Sequence, residues 1–562
     1  MKALYNIVTF AVSTVLVIYS LWNWKKRESE YTNSEQKSLS SKWVTVCFWI
    51  ILVAACLCRL YRFGEFPFLN QDSAMAAVDA KALWLYGTDR FGTKYPVHFE
   101  AWGYGQMSTL MSYMMVPLFA LFGYSEITVR LPIFLASIAG IIAFYFLCRD
   151  LYGNFIGLVG MFIAAINPWH FTQSRWALDA NLFPHFTIMA LALLIHSVKS
   201  GKKGFLYLSM IFWGLTHYCY GISVYTIPVI LLISCIYLCY KKFANARDVI
   251  YSVIIYLIIA LPFFICMILN TFDLPTINTP FYTIQNFPES RRSYDILFFA
   301  GNKGSQLLSN IKAVFNVLIL QNISTIWDGV QGFGHMGWCL TPFAVFGIFV
   351  MAKKLKTKDK SLFALVFIYS IVALCSGLIT FEVNINRINI FMYAFIILIV
   401  SGLYGLLMID YKKAAGVGIG IMSLGMFVLF YHTYFTSYVE EFKKPEAVSY
   451  NLKCALNTID PDEYDTIYLT PDSQTTGSRD VTEIETIYVY DLDIPYIQGK
   501  SNVNHDIETI PYQEKFQYVR ASEIKEIDPD QNAAYIINVE DEYLFDDSEF
   551  EKKNYGPFMV VY

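Results

Sequence analysis

The sequence predicts a polytopic α-helical membrane protein of about twelve transmembrane helices, followed by a small C-terminal extracytoplasmic α/β domain. Three observations predict it. Of 562 residues, 56% are apolar and 16% charged, and the mean hydropathy is positive. Apolar runs of about twenty residues recur, the length a bilayer core demands. The formal charge of −4 hides a division: from Ser437 onward there are 27 acidic and 10 basic residues, against 19 and 32 before it. Two regions in different solvents follow.

The first run, Leu4 to Trp24, is followed by Lys25, Lys26 and Arg27 and has no small-residue cleavage site, so it reads as a retained membrane helix. Short cytoplasmic loops are enriched in Lys and Arg. The clusters at 25–27, 199–203, 241–247, 353–360 and 412–413, with Arg149, therefore belong inside. Spans near 4–24, 43–60, 128–147, 155–168, 182–198, 204–217, 219–240, 248–268, 337–352, 361–380, 387–408 and 414–434 then alternate without conflict, and both termini lie outside. Met107 to Phe122 is only sixteen residues, roughly 24 Å as a helix, and contains Pro117; it reads as an interfacial or re-entrant helix. The domains expected are 1–42 (an extra helix and basic loop), 43–436 (a membrane module with outer loop 61–127) and 437–562.

Composition excludes several classes. The spans hold almost no charge near their centres, which weighs against an ion-coupled transporter. No P-loop or dinucleotide fingerprint stands out. Ten of the eleven cysteines, all but Cys454, lie in or beside apolar runs, as small buried hydrophobes do. The tail's single thiol leaves no disulfide within it.

Chemistry is expected in the polar segments of the outer face. Residues 61–106 read as an irregular loop, since unpaired backbone cannot lie in hydrocarbon, and carry Glu65, Asp72, Asp79, Asp89 and Glu100. A carboxylate at a bilayer interface is partly desolvated and suited to take a proton, which makes Asp72 the candidate base; the plainer alternative is a helix cap. In the segment 167–181, Arg175 and Asp179 form an i, i+4 pair. There an arginine can grip phosphate and an acid can orient substrate or hold a divalent ion; the alternative is an interfacial salt bridge. Candidate outward cations for a phosphate are Arg175, Arg291, Arg292, Lys303 and Arg387, with snorkelling the alternative for Arg387. His98, His170, Tyr220 and His335, with His217 and Tyr218, are candidate sugar contacts, or members of an interfacial aromatic belt.

Together these segments resemble the GT-C glycosyltransferases of the protein O-mannosyltransferase and lipid A aminoarabinose transferase superfamily, described in bacteria as dolichyl-phosphate-mannose-protein mannosyltransferase-like. The residues that carry the resemblance are Gln71–Asp72, the run Pro96 to Glu100, Val129-Arg130-Leu131-Pro132, Arg149 to Gly153, and Asn167-Pro168 through Ser174-Arg175 to Asp179. The resemblance implies a GT-C fold and transfer of a sugar from a polyprenyl-phosphate donor to an extracytoplasmic glycan, lipid or protein, with inversion. It implies Asp72 as base, Glu100 and Asp179 as builders of the acceptor or metal site, and a divalent ion as candidate cofactor with Glu100 as its candidate ligand. The family commonly has Asp-Glu where this chain has Asp72-Ser73. A flippase or a polymerase of lipid-linked glycans is the alternative function.

The tail should form a helix over AVSYNLKCALNTI and strands at 466–470, 486–490, 534–539 and 558–562. Its acidity would repel anionic lipid and nucleic acid.

Overall fold

The computed structural model describes residues 2–33, 40–101, 105–287, 296–357, 360–381, 383–407, 412–444, 447–470, 479–492, 515–524 and 527–562. Its membrane part runs α1 (Lys2–Asn33), α2 (Ser41–Leu60), α3 (Gln71–Tyr86), α4 (Leu110–Phe122), α5 (Glu126–Tyr152), α6 (Asn154–Ile166), α7 (Pro168–Gln173) and α8 (Leu182–Ser200). It continues α9 (Lys203–Leu215), α10 (Ser223–Tyr240), α11 (Ala246–Phe272), α12 (Lys303–Leu318), α13 (Thr341–Lys354), α14 (Lys360–Ile379), α15 (Asn389–Leu406) and α16 (Lys412–Phe435).

All twelve expected spans are helices. Among the described residues nine helices, α1, α2, α5, α8, α10, α11, α14, α15 and α16, are long and apolar enough to cross a membrane. The other three, α6, α9 and α13, have 13, 13 and 14 residues. That is about 20 Å each, short of a 30 Å hydrocarbon core. Burial ranks the bundle: α15 is 94% buried over its most apolar window, α8 78% and α5 67%, whereas α2 is 22%. α15 is thus the axis and α2 faces outward. Against α13 it packs through glycine, since a Cβ on Gly347 would stand 1.9 Å from the Leu398 carbonyl oxygen and one on Gly402 2.0 Å from that of Phe343; small residues allow such backbone approach in a bilayer.

The basic loops that follow α5 and α8 are held by acids. Lys203 pairs with Asp248 at 2.9 Å, and Arg149 and His196 hold Asp150 at 2.9 and 2.7 Å. At the other end, residues 61–106 are not wholly irregular. Asn70 caps α3, its side chain accepting from the Ser73 N–H at 3.1 Å, and Gly87 ends it at φ 70°. That signal, a capping Asn, an alanine-rich run and a closing left-handed Gly, is in the sequence; reading the loop by its polarity missed it. α4 is a 13-residue apolar helix containing Pro117, and it begins three residues later than the apolar run.

Two short antiparallel ladders brace this end: β1 (Phe99–Ala101) with β2 (Gly105–Met107), and β3 (Ile277–Asn278) with β4 (Thr283–Ile284). The C-terminal region contains α17 (Ser437–Glu441), α18 (Val448–Leu456), α19 (Arg479–Val489), β5 (Thr466–Leu469), β6 (Phe516–Tyr518), β7 (Ala533–Asn538), β8 (Lys552–Tyr555) and β9 (Phe558–Val561). The strands form one sheet in the order β6-β5-β7-β9-β8, parallel across β6-β5-β7 and antiparallel beyond. The fold class is as expected. The strand expected at 486–490 is instead the last turns of α19, because Val481, Ile484 and Tyr488, all buried, repeat with the helical period.

Candidate active site

The site grows from the N-terminus of α3. Asp72 sits in the first turn, where exposed N–H groups and the helix dipole favour a carboxylate. Next to it, the buried Ser73 hydroxyl donates to the Ala177 carbonyl at 2.7 Å, tying the start of α3 to the segment that carries Asp179. Asp179 opens a short 3-10 turn after an extended Leu178. It is 9% exposed, and its Oδ2 accepts from the Ser108 N–H at 3.4 Å. Asn389, the first residue of α15, donates to the Ala180 carbonyl at 2.7 Å.

Ser108 directly follows β2, and β2 pairs with β1, setting Glu100 opposite Gln106. Asp72, Asp179 and Glu100, far apart in the chain, are thereby linked at one end of the bundle. Glu100 is buried. Its carbonyl accepts from Arg90 Nη2 at 2.8 Å while Arg90 Nη1 pairs with the buried Asp79, so the loop is locked from inside. Asp89 closes the turn by accepting from the N–H groups of Phe91 and Thr93 at 3.0 and 2.8 Å; burial, and then the charge of Asp79, push its carboxyl up to about 7.

Two of the expected sugar contacts lie near these acids. His98 is buried with Nδ1 3.1 Å from the Met107 carbonyl oxygen and Nε2 without a partner. Burial holds it down to about 4, so it is neutral at physiological pH. Tyr220 packs on the small cluster of Trp176, Leu178 and Ala180 that flanks Asp179, together with Trp327, whose ring stacks on Trp176 at 5.4 Å.

Other expectations are corrected. Arg175 and Asp179 do not share a helix face, because α7 ends at Gln173 and the chain is irregular until Asp179. The Arg175 guanidinium is fully buried and donates to the carbonyls of Arg59, Arg62 and Phe66, capping the end of α2 instead of offering donors to a phosphate. His170 is sealed in the bundle, bonded to Arg59 at 3.1 Å and to the Tyr393 hydroxyl at 2.9 Å. His335 is a loop brace: its Nε2 lies 3.2 Å from the Asn322 carbonyl oxygen, and its own carbonyl accepts from the Trp169 N–H at 2.9 Å. Arg387, by contrast, stands at the start of a span as expected: it precedes α15, the Asn384 side chain accepts from its N–H at 3.1 Å, and its guanidinium donates to the Phe381 carbonyl. Arg291 and Arg292 lie outside the described residues. No group of three or more His, Cys, Asp or Glu that could hold a metal ion is found among the described residues.

The sequence also missed contacts from the C-terminal region. Lys81 on α3 pairs with Asp491 at 2.6 Å, Phe68 lies 4.3 Å from Tyr450 between ring centroids, and Lys453 pairs with Glu126. α18 and α19 thus sit directly on α3 and the start of α5.

Residues 107–283 match the family model described as dolichyl-phosphate-mannose-protein mannosyltransferase. The match contains Asp179 and begins after Asp72 and Glu100. The fold is similar to the crystal structure of ArnT from Cupriavidus metallidurans bound to undecaprenyl phosphate, with TM-score 0.56 and 11% identity over 93% of this chain and 98% of that one. It is similar also to the apo state of the same protein, with TM-score 0.55 and 11% identity over the same shares. No curated protein sequence matches the chain.

Proposed function

We propose that this chain, a membrane glycosyltransferase of the GT-C superfamily, moves a sugar from a polyprenyl-phosphate donor to an extracytoplasmic acceptor, with inversion and with Asp72 as base. The observation that carries the reading is the linkage of Asp72, Asp179 and Glu100 through Ser73, Ser108 and the β1–β2 ladder at one end of the bundle. The Lys- and Arg-bearing loops around Asp150 and Asp248 lie at the opposite end, and the enrichment of such short loops on cytoplasmic faces supports an outer location for the acids. The structure of ArnT with undecaprenyl phosphate supports a lipid-linked donor.

The chemistry follows from the charges. The acceptor hydroxyl gives its proton to the Asp72 carboxylate as its oxygen bonds to the anomeric carbon. The bond from that carbon to the phosphate oxygen breaks, and its electron pair leaves with the phosphate. Attack from the face opposite the leaving group inverts the centre. General-base catalysis of this kind is worth about 10²–10⁴-fold. Asp179 orients the acceptor. Arg387 is the candidate for the leaving phosphate, because Asn389 two residues on is anchored beside Asp179. A bilayer-embedded donor tail accounts for an enzyme built into the membrane.

The test is to incubate the purified chain with radiolabelled polyprenyl-phosphate monosaccharides and membrane acceptors, and to read the product's anomeric configuration by NMR. Transfer with a configuration opposite to the donor's is expected; retention, or movement of lipid-linked sugar across vesicles without transfer, would overturn the reading.

A further inference from the structure

α12 divides into three stripes. At about 100° per residue, Asn310, Val314, Val317 and Leu318 fall on one, and all four are buried. Ser305, Ser309, Lys312 and Asn316 fall on a second, polar one, exposed except for the half-buried Asn316. Leu308, Ile311, Phe315 and, just past the helix end, Ile319 make the third, which is apolar and yet between 47% and 70% exposed. An amphipathic helix of a globular protein has two faces, one on the core and one in water. A third face, apolar and open, marks contact with a membrane or another protein.

The position of α12 decides between them. Its packed stripe rests on the last turn of α14: Asn310 donates to the Leu378 carbonyl at 2.8 Å, and the Val314 side chain closes on Gly377, where a Cβ would stand 2.8 Å from it. Both ends of α12 are tied to one face of the bundle. Ahead of it, Ile296 forms a β-bridge with Thr380; behind it, the Gln321 side chain donates to the Thr341 hydroxyl at 2.7 Å. α13 and α14 are successive helices, so the start of the first and the end of the second share that face. Asp179 shares it too, because α15 follows α14 and its Asn389 donates to the Ala180 carbonyl. A helix of 16 residues with both ends held at one face does not cross the bilayer. α14 is long and apolar enough to do so, so its last turn marks the edge of the hydrocarbon, and before that turn it exposes Phe367 and Ile371. The open stripe of α12 thus continues a surface that lipid covers.

We propose that α12 is a membrane-surface helix in the leaflet at the Asp179 end, with Leu308, Ile311, Phe315 and Ile319 inserted among phospholipid acyl chains. Ser305, Ser309, Lys312 and Asn316 then face headgroups and water, and α14 supplies the third contact. Lipid removes from water the apolar area that the protein leaves open. The charges agree: α12 carries Lys303 and Lys312 and no acid, the composition of a helix that lies on an anionic membrane surface.

The test places photoreactive benzoylphenylalanine at Leu308, Ser309, Phe315 or Asn316, one at a time, in the full chain held in nanodiscs of phosphatidylcholine and phosphatidylglycerol. After irradiation, mass spectrometry identifies what each position has captured. Positions 308 and 315 should take phospholipid several-fold more often than 309 and 316. Equal labelling of all four, labelling of none, or a covalent dimer of the chain from position 315 would overturn the proposal. A second arm needs no photoreactive residue: Leu308→Asp should lower the melting temperature in the nanodisc more than Ser309→Asp, because a carboxylate on the inserted stripe leaves water. Equal melting temperatures would overturn the proposal as well, since on a helix surrounded by water the two substitutions differ little.

Discussion

Arg175 and Asp179 stand four residues apart, both buried, and their surroundings differ in kind. The arginine's donors run to three main-chain carbonyls at the end of α2, and its guanidinium sits among the rings of Phe63, Phe171, Tyr434 and Phe435. Arg130 does the same work nearby, donating to the carbonyls of Phe63 and Pro67. Arg59 reaches the Ala165 carbonyl and the Ser174 hydroxyl, each at 3.0 Å. These cations donate to main-chain carbonyls at the ends of α2 and α6 and in the turn that follows α2. Asp179 and Asp72 instead lie where loops converge from several helices. Residue type alone does not say which surroundings a charged side chain will have.

The comparison can be broken at either end. Arg175→Ala should be the most damaging to folding, because it takes the guanidinium donors away from the carbonyls of residues 59 and 66, at about 1–3 kcal/mol for each buried carbonyl left unpartnered. Its melting temperature in detergent should drop sharply, and Arg175→Lys should not rescue it, since one compact ammonium cannot reach the carbonyls that Nη1 and Nη2 reach separately. A well-folded Arg175→Ala protein that fails only to bind undecaprenyl phosphate would restore the phosphate reading. Asp179→Asn should melt like wild type and slow transfer about 10²-fold, the scale of a mispositioned reactant; normal transfer would remove Asp179 from the site.

Acid should weaken the fold through its neutral buried histidines. His98 and His335 are each held down to about 4 by burial. Between the ordinary value of about 6.5 and that value, the unfolded chain binds protons that the folded chain refuses. Stability therefore falls as pH drops through this window, by about 1.4 kcal/mol per pH unit for each histidine. His335→Gln should show a smaller loss of melting temperature between pH 7 and pH 5 than wild type, and an equal loss would mean that His335 charges freely in the folded state. The smallest effect belongs to Lys81→Ala: its partner Asp491 is largely exposed, so the pair is worth about 1 kcal/mol or less. Limited proteolysis of the C-terminal region should quicken only slightly, and its wholesale release would show that the clamp carries more.

The membrane bundle was legible because hydrocarbon demands length and apolarity from every span, and those properties are local to the sequence. The acids stand out in the sequence as polar exceptions beside a membrane, the signal on which their proposed role rests. Three things were not legible. Arg175 carries the same letter whether it holds a phosphate or three carbonyls, and only the convergence of α2 with the 174–178 turn decides between them. His170 lies in a segment of outer-loop composition, yet α7 turns it into the bundle toward Arg59 and Tyr393. The run Thr486 to Tyr490 is β-branched and aromatic, so a short window reads strand, while the longer window from Val481 reads helix. That longer window also shows Glu485 at a buried position, an acid in an apolar stripe.

The most direct measurement is the turnover of a purified Asp72→Asn chain on its polyprenyl-phosphate sugar, with the melting temperature recorded alongside. A fall of about 10²–10⁴ in kcat, with donor KM and melting temperature as in wild type, is the expected result. Transfer at the wild-type rate by a folded Asp72→Asn protein would contradict it.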